Sequence, residues 1–122
     1  PMGTKLFFGT ATAQYEMDVI DVSVGGVLGV FVNLKKEIEK DSNLAAGKTL
    51  GHLRLVFPSE EEDLGVYIKG SLVKRVGKDS QTKRYRYALQ FTAIEKSEEK
   101  ALLQIIYRFQ REFLRKRLPI HR

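Results

Sequence analysis

Ile20-Asp21-Val22-Ser23-Val24-Gly25-Gly26-Val27 ends an apolar strand in two short polar side chains and a pair of glycines. Asp21 and Ser23 are two apart, so in extended backbone they point to the same side. Asp21 offers acceptors, and Ser23 offers both a donor and an acceptor. That set matches the edge of a guanine base, whose ring N–H and amino group donate. Gly25 and Gly26 can take left-handed angles and leave room for a flat ligand. Val19 and Asp21 should share a face, so that the apolar row turns polar at the strand end. The same pattern also describes an Asx or Ser turn that caps its own backbone.

Strands surround this stretch on both sides. Lys5–Ala13 reads as a first strand, with Gly9 marking a bend or bulge, and Gln14-Tyr15 as a tight connection into Met17–Val22. Val27–Val32 is a short apolar strand. Asn33–Lys40 has room for one or two helical turns, and Asp41-Ser42-Asn43 with Gly47 marks an irregular connection. Leu50–Phe57 alternates, with Leu53, Leu55 and Phe57 opposite His52, Arg54 and Val56. Gly65–Val76 is longer, and Gly70 permits strong curvature. In Lys83–Phe91, Tyr85, Tyr87, Leu89 and Phe91 read as core. Arg84, Arg86, Ala88 and Gln90 form an outer or ligand-facing row.

The period then changes. Ser97 caps a helix of about 20 residues with Glu98 and Glu99 in its first turn. Leu102, Ile105, Ile106, Phe109 and Phe113 make one apolar stripe, and Pro119 stops the helix beyond Leu118. A stripe of that size needs a partner, and a curved sheet supplies one. The expected architecture is an all-β core: a six-stranded antiparallel barrel with a long C-terminal α-helix. Residues 4–118 form one domain, and 119–122 a basic tail. Pro1-Met2-Gly3 reads as a remnant around a start codon rather than targeting information.

Composition narrows the function classes. The 122 residues contain no cysteine, which excludes disulfides and thiolate metal sites. His52 and His121 lie too far apart in sequence to suggest a paired imidazole site. No cofactor or metal is expected, and no apolar run approaches the length of a membrane span. A cytoplasmic location is the default. The net charge of +6 favours anionic partners. Six bases (Arg108, Arg111, Arg115, Lys116, Arg117 and Arg122) stand against Glu112 in the last fifteen residues, which carry +5 of that charge. They read as a solvated helix end or as a partner surface.

Asp21-Val22-Ser23-Val24-Gly25-Gly26 resembles the Asp-x-Ser-x-x-Gly signature of the PilZ domain. The resemblance extends over about residues 5–117, through Gly70-Ser71-Leu72-Val73-Lys74-Arg75-Val76, Tyr87-Ala88-Leu89-Gln90-Phe91 and the final helix. The basic helix end is similar to that of flagellar-brake proteins. The resemblance implies cyclic di-GMP as regulatory ligand. Asp21 and Ser23 would contact guanine, and Gly26, beside Gly25, would give the turn and access. It also implies the flagellar motor or another regulated protein as partner, with Arg108, Arg111, Arg115, Lys116 and Arg117 as contact surface, and a homodimer as one assembly.

Two departures weaken the expected binding. The family's Arg-x-x-x-Arg before the first strand is absent from this chain. Lys5 is the only basic residue before Lys35. Lysine lacks the planar fork that arginine offers phosphate and the face it offers a base. Ala88 stands where family members often have glycine. Arg75, Arg84 and Arg86 are candidates to replace the missing charge, or ordinary outward strand residues.

The alternative function is a ligand-independent protein-interaction domain. A nucleic-acid-binding barrel would need exposed aromatic platforms, and alternation turns Tyr85 and Tyr87 away from the arginines. No enzyme is expected. His52 reads as a hydrogen-bonded strand residue, and Glu60-Glu61-Glu62-Asp63 as a solvated turn.

Overall fold

The computed structural model describes residues 3–117, with side chains as far as Glu112. Six strands close into an antiparallel barrel. They are β1 (Lys5–Gly9), β2 (Gln14–Ser23), β3 (Gly26–Phe31), β4 (Thr49–Phe57), β5 (Leu64–Lys78) and β6 (Tyr85–Ala93), arranged β1-β2-β3-β6-β5-β4. A short helix, α1 (Lys35–Glu39), and a 3-10 turn (Ser42–Leu44) connect β3 to β4, and α2 (Lys96–Arg117) follows β6. Closure pairs every strand on both sides and removes open sheet edges.

Alternation places the core where the sequence expects it. Leu6 and Phe8, Tyr15 and Met17, Leu53, Leu55 and Phe57, Val66 and Ile68, and Tyr87 and Leu89 all point inward. Phe31 sits among Phe8, Tyr15 and Tyr87, with ring centroids 6.0, 5.6 and 4.9 Å away. Edge-to-face rings at these separations pack well. Burial pushes the Tyr87 hydroxyl pKa up to about 12. That hydroxyl donates to the Leu44 carbonyl at 2.7 Å. His52 lies in the left-handed region at φ 56°. There β4 turns, so that Leu50 and Leu53, three apart, both face inward.

The apolar stripe of α2 meets the barrel beside β5. Leu102 and Ile105 are buried, and Phe109 lies 5.7 Å from Phe57. On the β6 side, β5 has no strand partner before Gly70, which pairs with Ala93. Glu98 fills part of that gap by accepting the Tyr67 backbone N–H at 2.6 Å.

Several boundaries differ from expectation. α2 begins at Lys96, so Ser97 lies inside its first turn rather than capping it, and β6 begins at Tyr85 rather than at Lys83, which takes a left-handed φ of 65°. The first strand stops at Gly9, because Thr10 accepts from the backbone N–H groups of Thr12 and Ala13 and closes a turn. Gln14 and Tyr15 accordingly belong to β2, paired with Gly9 and Phe8. Leu118 and the 119–122 tail lie outside the described residues.

Candidate functional site

The signature stretch forms the β2–β3 hairpin, whose outer surface is shaped by a bulge. Val19 pairs with Gly29 and Asp21 with Leu28, so Ile20 is an extra residue on β2. The bulge resets the alternation. Val19 points inward, while Ile20 is 44% exposed and Asp21 faces outward. The expected shared face of Val19 and Asp21 is therefore wrong. Asp21 and Ser23 do share a face, and both are exposed.

The glycines act differently from expectation. Neither Gly25 nor Gly26 is in the left-handed region. A Cβ on Gly26 would lie 2.3 Å from the Leu89 carbonyl oxygen, so only glycine lets β3 approach β6 here. Gly25 is open: a Cβ there would meet only Ser23 Oγ, at 4.0 Å. Its carbonyl accepts the Phe91 N–H at 2.8 Å, which pins the hairpin to β6. Ser23 Oγ accepts the Gly25 N–H at 3.2 Å, so the turn-capping reading holds for Ser23. Its hydroxyl proton stays free to donate. Among the described residues, nothing hydrogen-bonds or ion-pairs with the Asp21 carboxylate.

Register carries the hairpin's polar lip across the barrel. Asp21 pairs with Leu28, Leu28 with Ala88, and Ala88 with Arg75. These four form one outward row over β2, β3, β6 and β5, about 14 Å long at the usual strand spacing. Beside it runs a second row of Ser23, Gly26, Gln90 and Leu72. Leu28, Arg75, Val76, Gly77, Lys78, Arg86 and Ala88 line a depression of about 280 Å³. Ala88 is one of the residues that line this depression.

The three candidate arginines separate. Arg75 and Arg86 border the depression. Arg84 lies apart, against a hollow of about 420 Å³ with Asp18, Ile20 and Val32, and donates to the Val32 carbonyl. Lys5 is held by Asp18 and Glu16, its Nζ 3.1 Å from Glu16 Oε2. The hydrogen bond to Asp18, then that to Glu16, raises its pKa. Sequence reasoning missed Leu28 and Lys78. A signal for Leu28 was present: Val27-Leu28-Gly29-Val30-Phe31 is apolar on both faces of a strand, although only one face meets the core.

Arg108 and Arg111 are exposed on α2. Arg108 also borders a groove of about 970 Å³ with Pro58, Glu60, Glu61, Glu62 and Phe109. The side chains of Arg115, Lys116 and Arg117 lie outside the described residues. Tyr87 is buried and Tyr85 half-buried, so neither is an open stacking platform. His52 Nδ1 is hydrogen-bonded to the Tyr67 hydroxyl. Among the described residues no group of three or more His, Cys, Asp or Glu side chains could hold a metal ion, and no helix is long and apolar enough to cross a membrane.

The model of the PilZ domain family matches residues 4–108, and the chain belongs to that family, whose domains are regulatory and non-catalytic. Solved structures share the fold at low identity. The Bacillus subtilis inhibitor of motility MotI/DgrA is 20% identical, with a TM-score of 0.69 over 89% of this chain and 47% of its own. The PilZ domain of Escherichia coli YcgR, solved with c-di-GMP, is 15% identical, with a TM-score of 0.67 over 93% of this chain and 86% of its own. The MrkH–c-di-GMP complex of K. pneumonia is 16% identical, with a TM-score of 0.72 over 95% of this chain and 49% of its own. The chain therefore spans about half the length of MotI/DgrA and of MrkH. No curated protein matches the sequence.

Proposed function

We propose that this domain binds cyclic di-GMP on the outer face of β2, β3 and β6, and that binding regulates flagellar motility or a related surface behaviour. The observation that carries the reading is the Asp21–Ser23 lip. An exposed carboxylate with no partner among the described residues stands beside a hydroxyl with a free proton. A guanine edge presents two adjacent donors to such a carboxylate, and charge-assisted bonds of that kind are the stronger ones. Open space over Gly25 leaves room for the base. The solved relatives with c-di-GMP bound, and the relative described as an inhibitor of motility, support the ligand and the process.

The domain acts in the cytoplasm. Its output passes through the basic end of α2, Arg108 and Arg111 with the following Arg115, Lys116 and Arg117, to the flagellar motor, another regulated protein or a second copy of the chain. A ligand can drive such a switch only by differing in affinity for its two arrangements.

Calorimetry with cyclic di-GMP tests the reading, on this chain and on a version extended at its N-terminus to include an Arg-x-x-x-Arg segment. Weak binding by the first, tightened in the second and lost on Asp21→Ala in both, is the expected result. Binding in neither would leave a ligand-independent interaction domain.

A further inference from the structure

Lys5, Arg75, Lys78, Arg84 and Arg86 divide into two groups. Lys5 is engaged by Asp18 and Glu16, and Arg84 by the Val32 carbonyl. Arg75, Lys78 and Arg86 instead surround one depression, and among the described residues no carboxylate comes within ion-pairing distance of them. Register explains the convergence. Arg75 pairs with Ala88 and Gly77 with Arg86, so the two guanidinium stems leave the outer face from neighbouring strands, two register positions apart with the Val76–Tyr87 pair between them. The floor between them is Leu28, Gly77 and Ala88, which offers no competing acceptor side chain.

We infer that this depression is an oxyanion subsite, in which Arg75 and Arg86 bind the anionic oxygens of a phosphate or phosphodiester. This inference rests on the ligand reading above, which places the purine at the other end of the Asp21–Leu28–Ala88–Arg75 row. The row is about 14 Å long at ordinary strand spacing, a span suited to a ligand with base and phosphate poles. Guanidinium groups suit the anionic pole because their planar fork matches a pair of phosphate oxygens.

Lys78, which pairs with Tyr85, directs its charge to the other face. Lys78 Nζ lies 5.5 Å from the centre of the Tyr85 ring. Lys35 lies beside Lys78 and lowers its pKa, while the charge of Glu39 acts in the opposite sense. Asp79 is an acid close enough to feel the charge of Arg86. Hydrogen bonds from Thr82 lower its pKa first, and the charge of Arg86 adds to them more weakly.

The test compares the intact chain with Arg75→Gln, Arg86→Gln and the double variant, each checked by thermal melting. Three probes are titrated while the amide signals of Leu28, Gly77 and Ala88 are followed by NMR: cyclic di-GMP, guanosine and inorganic phosphate. The double variant should lose at least tenfold in affinity for cyclic di-GMP, and the three amides should shift in the intact chain only. Shifts with inorganic phosphate as well would identify a free oxyanion as sufficient. Shifts with cyclic di-GMP alone would restrict the subsite to a phosphodiester. Guanosine should leave the Gly77 amide, the farthest of the three from Asp21, unmoved. Affinity within twofold of the intact chain, with the amides still, would overturn the subsite and leave the purine reading standing. Failure of cyclic di-GMP to bind the intact chain would remove the purine reading, and the phosphate titration would then decide the subsite alone. Should the double variant fail to fold, Arg75→Glu, at an exposed position, replaces it.

Discussion

Asp21 and Asp41 begin two short stretches that look alike in sequence, Asp21-Val22-Ser23 and Asp41-Ser42-Asn43, and the fold uses them in opposite ways. Asp41 is buried at 3% exposure. Its carboxylate accepts from the Thr10 and Tyr15 hydroxyls and from both the backbone and side-chain nitrogens of Asn43, the Tyr15 and Asn43 contacts lying at 2.7 to 3.0 Å. It ties the β1–β2 turn to the connection before β4. Asp21 is exposed, and among the described residues its acceptors are unused. Burying a carboxylate is tolerable only when its lone pairs are filled, whereas an exposed one keeps them for water or a ligand. The first aspartate is a structural joint. The second, on the proposed reading, is spare binding capacity held on a hairpin.

Removing each carboxylate should separate the two roles. Asp41→Ala leaves the Tyr15 hydroxyl without its acceptor and should destabilise the fold by about 3 kcal/mol, read by urea unfolding. Gly26→Ala should come next, since its Cβ would strike the Leu89 carbonyl, which is fixed backbone. A fall in Tm of several degrees is expected, while Gly25→Ala, into open space, should stay within about 0.5 kcal/mol of the parent. Equal Tm values for the two glycine variants would contradict the close β3–β6 approach.

Acid sharpens the same contrast. Burial opposes ionisation of Asp41, but hydrogen bonds from Thr10, Tyr15 and Asn43 outweigh it and hold the pKa below the ordinary carboxylate value. A carboxyl with a depressed folded-state pKa stabilises above its unfolded value and loses that contribution as pH falls through the folded one. The stability gap between the parent and Asp41→Ala should therefore narrow below about pH 4. A gap constant down to pH 2 would contradict the network. Ser23→Ala should cost no more than about 1 kcal/mol, the worth of one exposed turn bond.

The barrel and helix were legible because their periods are clean. Strand alternation in Leu53–Phe57 and Tyr85–Phe91, and the stripe through Leu102, Ile105 and Phe109, each match the observed burial. The outer face was only partly legible. Asp21 and Ser23 could be paired by their spacing, but the bulge at Ile20 depends on how β2 meets β3, a non-local fact. Arg75 and Arg86 were distinguishable from Arg84 only through the β5–β6 register, which shifts between Val73 and Arg75. Gly26 was singled out for its backbone freedom, yet its role comes from a carbonyl sixty-three positions along the chain.

The most direct measurement is a calorimetric titration of cyclic di-GMP into the parent chain and into Asp21→Ala, with a thermal melt of each. Binding by the parent, its loss in the variant, and melts that agree within about 0.5 kcal/mol are the expected outcome. A variant that binds as well as the parent, or one that melts far lower, would show that Asp21 is not spare capacity and would contradict the account.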